Sequence, residues 1–385
     1  MAKKKETLGM QSLAKHKKFG GKLEVVSKVP LKTKKDWSMY YTPGVAAVST
    51  HVAKNPKDAY VYSIKKNTVA VVSDGSAVLG LGNIGPYGAL PVMEGKAAIF
   101  KSLANVDAFP IVLDTQDPEE IIQTVIRIAP AFGGINLEDI SAPNCFYIEE
   151  ELKKKLSIPV MHDDQHGTAI VVLAGMINAF TVVGRKLNSS DTWITVAGVG
   201  AAGVATMKFI HRFAPKVNIL AVDSQGIVWK GRKELSETKK KLIKEKVIFA
   251  EEGGDLAQAL VDADAFIGVS KPNLVSAKII RTMKKDSIIF ALSNPNPEVL
   301  PHIAKKGGAA VVATGRSDFP NQVNNALVFP GIFRGALDKG VRTITDDMKI
   351  RAAVALANLV KKPTADAIIP PVMDPRVVKT IAKAI

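Results

Sequence analysis

The chain has 385 residues, with 52 Lys and Arg against 36 Asp and Glu, a formal charge of +16. Hydrophobic residues make up 47% and charged residues 23%, which excludes a disordered or collagen-like chain and leaves enough apolar surface for a sizeable core. A single cysteine, Cys145, excludes internal disulfides and multi-thiolate zinc sites and suits a reducing cytoplasm. Residues 1–35 hold eleven Lys and no Arg against Glu6 and Glu24, so +9 of the +16 sits in this segment. A basic arm can meet nucleic acid, but the only aromatic among these lysines is Phe19, so it reads as a solvated, lysine-rich start. No apolar run follows Lys3–Lys5, so no signal peptide is expected. The uncharged stretch Gly167–Gly184 nears the length of a membrane span, but Thr168, Asn178, Thr181 and three glycines mark it as a buried helix.

In chain order, Tyr40 to Gly44 is a turn signal. Thr68–Ser73 reads as a buried strand, followed by a glycine-rich loop from Gly75 to Gly88. Pro91 is expected to open a helix running to about Leu103. Phe109–Leu113 is a strand, and Asp117-Pro118 starts a helix that stops before Pro130. Gly134–Leu137 is a short strand, Pro143–Lys155 a helix with early glutamates and late lysines, and Ile158–Met161 another strand. The second half repeats the alternation. Its strands are Thr192–Ala197, Val217–Val222, Ala265–Val269, Ser287–Leu292 and Ala309–Ala313. Its helices are Ala201–Phe213, Lys239–Lys246 and Thr345–Leu359. The class is α/β: an N-terminal α/β substrate and metal domain over 1–165, then a Rossmann-like doubly wound dinucleotide-binding domain over 166–385. The Gly167–Gly184 helix would lie between them.

Two stretches match G-x-G-x-x-G. Gly198, Gly200, Ala201, Ala202 and Gly203 follow a strand and open a helix, whose free N–H groups can face a pyrophosphate. A second strand ends 25 residues after Gly198 in Asp223, an acid placed to accept from a ribose diol. This is a dinucleotide site. The copy from Gly80 to Gly85 is followed by Pro86, Tyr87 and Gly88, which are not expected to continue a helix. It reads either as a loop whose amides face an anion or as a plain surface loop.

Acids follow two neighbouring strands: Glu138-Asp139 and Asp163-Asp164. Ligands gather at such strand ends, and all-oxygen carboxylate sites suit Mg²⁺ or Mn²⁺, although helix capping is the competing use. His162 and His166 flank the second pair and read as satisfied structural histidines. Lys96, near the expected start of its helix, opposes the helix dipole, which would depress its pKa toward general-base range; a surface lysine is the plainer alternative. Tyr41 reads as a packing aromatic or an acid. Asn294, Asn324 and Asn325 can bond a substrate or nicotinamide, or simply make turns.

These residues together resemble the malic enzymes of the short, prokaryotic type. The likeness runs from about Asp36 nearly to the C-terminus, through YYTPGVA (40–46), VSDGSAVLGLGNIG (72–85), PVMEGKAAIFK (91–101), GGINLEDISAP (133–143), HDDQHGTA (162–169), GVGAAG (198–203) and ALSNPNPE (291–298). The resemblance implies oxidative decarboxylation of L-malate to pyruvate and CO₂, with NAD or NADP and a divalent metal. It implies Glu138, Asp139 and Asp164 as metal ligands, Lys96 as general base, Tyr41 as the acid that protonates the enol, and Asp163 as the partner holding Lys96. Asn294, Asn324 and Asn325 would contact malate or nicotinamide, and a cytoplasmic homodimer is implied. The chemistry fits: a base takes the C2 hydroxyl proton as hydride leaves, a metal polarises the carbonyl, and an acid protonates C3. There are departures. Ala77 stands where long forms carry arginine, so a substrate carboxylate is left to loop amides near Ser76 and 80–85, or to the asparagines. Gln225 stands where many relatives have lysine, which with Asp223 leans toward NAD. Rival expectations are a plain hydroxy-acid dehydrogenase, an oxaloacetate decarboxylase, or a non-catalytic nucleic-acid-binding protein using the basic arm.

Overall fold

A computed structural model describes residues 7–78 and 80–385. Four short helices come first: α1 (Leu8–Phe19), α2 (Lys34–Tyr40), α3 (Val45–Lys54) and α4 (Ala59–Tyr62). No residue from 7 to 67 is buried. The turn expected at Tyr40–Gly44 separates α2 from α3.

The first sheet is wholly parallel. Its strands β1 (Thr68–Ser73), β2 (Asp107–Val112), β3 (Gly134–Leu137) and β4 (Val160–His162) lie in the order β2-β1-β3-β4. The crossovers are α5 (Gly85–Ala104), α6 (Pro118–Ile128) and α7 (Asn144–Lys155). Every residue of β1 is buried, as a central parallel strand covered on both faces requires. Local chemistry sets the helix starts. Asp117 accepts from the N–H groups of Glu119 and Glu120, with Pro118 in the first turn of α6.

The expectation that Pro91 opens a helix is corrected: α5 begins at Gly85 and Pro91 lies inside it. The reason is Pro86, which occupies the first turn, where its missing N–H leaves no bond unmade. The Gly80 copy of the fingerprint therefore does lead into a helix.

Helix α8 (Asp163–Val182) leaves the first sheet and is the only helix among the described residues long and apolar enough to cross a membrane. It is a core helix: fifteen of its side chains, from Asp163 to Phe180, are buried.

The second sheet has β5 (Trp193–Ala197), β6 (Asn218–Asp223), β7 (Gly226–Ile227), β8 (Ala265–Gly268), β9 (Ser287–Ala291) and β10 (Ala309–Thr314), in the order β10-β9-β8-β5-β6-β7. All pairs are parallel except β6 with β7. Its helices are α9 (Ala201–Phe213), α10 (Glu237–Lys244), α11 (Leu256–Leu260), α12 (Ala277–Ile280) and α13 (Pro301–Lys306). The chain closes with α14 (Phe329–Lys339), α15 (Asp346–Ala357) and α16 (Arg376–Ala384). The N-terminal helices, α14 and α16 are elements the sequence reading left unassigned.

One apolar core runs from Val71 and Phe100 through Ile170 and Phe180 to Ile194 and Phe333. Phe100 of α5 packs on Phe329 and Phe333 of α14, with ring centroids 4.6 and 5.5 Å apart, so the C-terminal helices clamp the first sheet. Each sheet reverses its strand order once, at β1 in the first and at β5 in the second. Open α/β sheets hold ligands outside the strand C-termini at such points.

Candidate active site

A cleft of about 680 Å³ opens where the two switch points meet. Lys96 on α5, Glu138 and Asp139 just past β3, and Asp164 on α8 line it from the first half; Gly200, Ala201, Ala202, Asn294, Asn324 and Asn325 line it from the second.

Glu138 and Asp139 sit just past β3. Glu138 accepts at 2.9 Å from the amide of buried Asn136, which aims it. Asp139 has φ +53°, a left-handed conformation that Asp tolerates better than most residues, and its N–H donates to Asp164 at 2.8 Å. One oxygen from each of Glu138, Asp139 and Asp164 lies within 4.8 Å of the others. Burial raises Glu138 and pushes Asp164 up to about 6; the charge of Asp164 adds to the first shift and that of Asp163 to the second, and Lys96 opposes both. Three carboxylates held this close, two of them buried, repel one another, and a divalent cation removes that repulsion. The donor set is all oxygen and fits Mg²⁺ or Mn²⁺.

Lys96 is 7% exposed. It donates to Glu138 at 2.7 Å and to Asp163, and its ammonium lies 4.0 Å from the centre of the Phe329 ring. The expectation of a dipole-depressed pKa is corrected. Lys96 lies well inside the twenty-residue α5, not in its first turn, so little of the dipole reaches it. Burial works against the charge, but Asp163, Glu138 and Asp164 outweigh it and raise the ammonium above its ordinary value. Burial pushes Asp163 up to about 7 against the pull of Lys96. Gly167 makes room for this pair: a Cβ there would lie 2.0 Å from an oxygen of Asp163.

The dinucleotide fingerprint has the expected form. Gly198 carries φ +116°, and a Cβ on Gly203 would lie 1.9 Å from the carbonyl oxygen of Gly198, so helix and strand approach as only glycine allows. Around Gly200 the space is open. Asp223 ends β6 as expected, but its carboxylate is already engaged. It accepts from Arg232 at 3.0 Å and from the N–H of Gln225 at 2.8 Å, and it pairs with Lys239 at 2.6 Å.

The asparagines differ from one another. Asn324 spends its side-chain oxygen capping the N–H of Ala326 at 2.8 Å, whereas Asn294 and Asn325 make no side-chain hydrogen bond among the described residues. The loop amides of Ser76, Ala77, Val78, Leu81, Ile84 and Gly85 already bond within the protein, which takes these six out of the expected contact with a substrate carboxylate.

Tyr41 is not brought to the cleft within one chain. It does not line it, it is 62% exposed, and its ring meets Trp37 edge-on at 6.2 Å. His166 is a satisfied structural histidine, bonded to Glu149 at 2.9 Å. His162 is not: it is fully buried, neither ring nitrogen has a hydrogen-bond partner among the described residues, and Nε2 lies 3.6 Å from Asp164. Cys145 is buried, which pushes its thiol up to about 12 and leaves it chemically inert.

Sequence reasoning missed Glu298. Fully buried, it accepts from the N–H groups of Ser270 and Ser293 at 2.9 and 3.1 Å, tying together the loops beyond β8 and β9 that wall the cofactor side. Its signal was present in ALSNPNPE, as the one acid in an apolar, turn-rich motif.

Residues 20–153 match the family model for the malic enzyme N-terminal domain, and residues 165–385 match that for the malic enzyme NAD-binding domain. The chain belongs to the malic enzyme family. It is 50% identical over 381 residues to a bifunctional malic/malolactic enzyme of Bacillus subtilis, covering 98% of this chain and 92% of the relative. It is 45% identical over 357 residues to an NADP-dependent malic enzyme of Halomonas elongata, covering 92% and 82%. The crystal structure of the NAD-dependent malic enzyme from Thermotoga maritima superposes with a TM-score of 0.92 at 46% identity, covering 97% of this chain and 98% of that one. The chain is thus an NAD(P)-linked, decarboxylating malate dehydrogenase, and its family favours this reading over the non-catalytic alternative.

Proposed function

We propose that the cleft oxidises L-malate and decarboxylates the product with Lys96 as base, within a site completed by a second copy of the chain. The observation that carries this reading is Lys96, buried between Glu138 and Asp163 beside a carboxylate triad and facing the dinucleotide loop across one cleft. Glu138, Asp139 and Asp164 would hold Mg²⁺ or Mn²⁺. When bound, the metal supplies Lewis-acid polarisation of the C2 oxygen and stabilises enolate charge. Asn294 and Asn325, whose amides are free, orient the malate carboxylate and the nicotinamide. Lys96 accepts the C2 hydroxyl proton of malate; a bound nicotinamide would supply the hydride acceptor. Lys96 can take that proton only after giving up the one its carboxylate neighbours hold on it, and Asp163, raised by burial, is the acceptor in contact.

Tyr41 is the acid for C3, delivered in trans. Residues 7–67 contain Trp37, Met39, Tyr41, Val61 and Tyr62 with more than half of each exposed, and nothing in that segment is buried. Large apolar side chains gathered in one exposed segment mark an interaction surface. A homodimer covers it and places Tyr41 of the partner subunit over the cleft.

NAD serves as cofactor, with NADP accepted. Arg232 and Lys239 neutralise Asp223, so the carboxylate that would repel a 2′-phosphate sits with two cations that can bind one. The domain division at about residue 165 and a cytoplasmic setting complete the reading.

The test is an assay with L-malate, each nucleotide and each metal in turn, reading reduced cofactor, pyruvate and lactate. Pyruvate forming in step with NADH or NADPH, only with Mg²⁺ or Mn²⁺, is expected. Oxaloacetate accumulating without pyruvate refutes the coupled reaction.

A further inference from the structure

Asp163 and Asp164 occupy the first turn of α8, and both ends of that turn are gripped from behind. At one end Glu149 of α7 accepts from the N–H of His162 at 2.9 Å; at the other its second oxygen accepts from His166 Nε2 at 2.9 Å. Lys153 pairs with the same carboxylate at 2.7 Å. Glu149 is 5% exposed. Burial favours its neutral form, but His166, Lys153 and Lys349 outweigh this and hold it well below the usual carboxylate range.

The direction of the His166 bond is set by a residue 183 positions away. Lys349, on α15 in the C-terminal part of the chain, is 1% exposed and places its Nζ 3.1 Å from His166 Nδ1 and 3.1 Å from Asp346. An ammonium can only donate, so Nδ1 must accept and the ring proton must sit on Nε2, where it faces Glu149. With Nδ1 accepting from Lys349 and Nε2 donating to Glu149, the ring carries a single proton and is neutral. Lys349 lies far from Lys96 and from the nucleotide loop in sequence and does not line the catalytic cleft.

We propose that Glu149, His166 and Lys349 form a positioning relay: Lys349 fixes the His166 tautomer, His166 and the His162 amide fix Glu149, and Glu149 fixes the turn that aims Asp164 at the metal. The proposal rests on the metal reading of Glu138, Asp139 and Asp164. Outer partners of this kind change metal affinity by about 10–100-fold when removed.

The experiment measures Mn²⁺ binding to the metal-free full-length enzyme by titration calorimetry and by electron paramagnetic resonance, without malate or nucleotide. The variants are Glu149→Gln and Lys349→Met, with NAD binding and thermal unfolding measured alongside. The expected result is Mn²⁺ affinity weakened about tenfold or more in both variants while NAD affinity stays within about twofold. In histidine-labelled enzyme, the ¹⁵N signals of His166 should move off the Nε2–H pattern in Lys349→Met. If Glu149→Gln does not fold, Lys349→Met decides. Wild-type Mn²⁺ affinity in the folded variants, or an equal loss of metal and NAD binding, overturns the relay. No Mn²⁺ binding by the wild type overturns the metal assignment itself.

Discussion

The trans placement of Tyr41 leads to a complementation experiment with a sharp outcome. Tyr41→Phe and Lys96→Ala each remove one proton-transfer group, so each homodimer should lose about 10²- to 10⁴-fold in kcat. In the first variant every cleft keeps Lys96 but faces a partner without the phenol; in the second every cleft has the phenol but lacks the amine. After mixing and subunit exchange, a heterodimer contains one cleft with an intact Lys96 opposite an intact Tyr41. Random exchange of equal amounts makes half the dimers mixed, each with one of two sites restored, so activity should climb to about a quarter of wild type. The background is at most about one part in a hundred, which leaves no ambiguity in reading the result. Malate-dependent NADH formation is followed while the variants are mixed in mild urea and diluted, with light scattering confirming the dimer. If Tyr41 acted within its own chain, every mixed dimer would carry two damaged clefts. Activity staying at background after confirmed exchange would refute the trans site.

Further outcomes follow from the same geometry. Lys96→Ala should abolish malate oxidation yet leave NAD affinity nearly unchanged, since Lys96 touches acids and Phe329 but not the glycine turn; turnover like wild type would remove it as base. Asp164→Asn should raise the half-saturating Mn²⁺ concentration by more than the roughly 10–100-fold that an outer partner is worth. An unchanged requirement would strike it from the ligand set. Arg232→Ala should weaken NADP use about tenfold, the scale of one charge-assisted hydrogen bond, and affect NAD less; equal losses with both nucleotides would show that Arg232 serves Asp223 alone. His166 is held at about 4 in the folded protein against 6.5 as its ordinary value, chiefly by burial. Its contribution to stability is therefore complete above the unfolded value and is lost as pH falls through about 4, on the order of 3 kcal/mol. Urea midpoints at pH 7 and pH 5 should converge in His166→Gln; the same pH dependence as wild type would argue against a neutral buried ring.

Much of the fold could be read because it depends on local pattern. TVAVVS is a continuous apolar run, and a strand buried on both faces needs nothing else. Asp117-Pro118 and Thr345 are capping signals whose side chains do cap. The Gly198 fingerprint was legible because each glycine has a steric duty within a few residues. The stretch before Thr68 was not legible. Its helices bury nothing in the single chain, so the periodic apolar signal that marks a core-facing helix has no core to point to.

The site divides along the same line, between what a residue is and what it meets. The pairs Glu138-Asp139 and Asp163-Asp164 could be picked out because acids at parallel strand ends are placed by topology; the choice of Glu138, Asp139 and Asp164 among them came from the family resemblance, and the fold delivers those three to one point. The charge state of Lys96 could not, because it is set by Glu138 and Asp163, 42 and 67 residues away. A helix-dipole argument, built on near neighbours, had the wrong sign for that reason. Asp223 shows the same thing from the cofactor side. Its position at the end of β6 follows from the Rossmann alternation, but Arg232 and Lys239 reach it from beyond β7 and convert an acid that should refuse a 2′-phosphate into one flanked by two cations. Nucleotide choice is therefore expected to follow the trio: Asp223→Ala should release both cations and favour NADP further, and a shift toward NAD in the ratio of kcat/KM values would refute this.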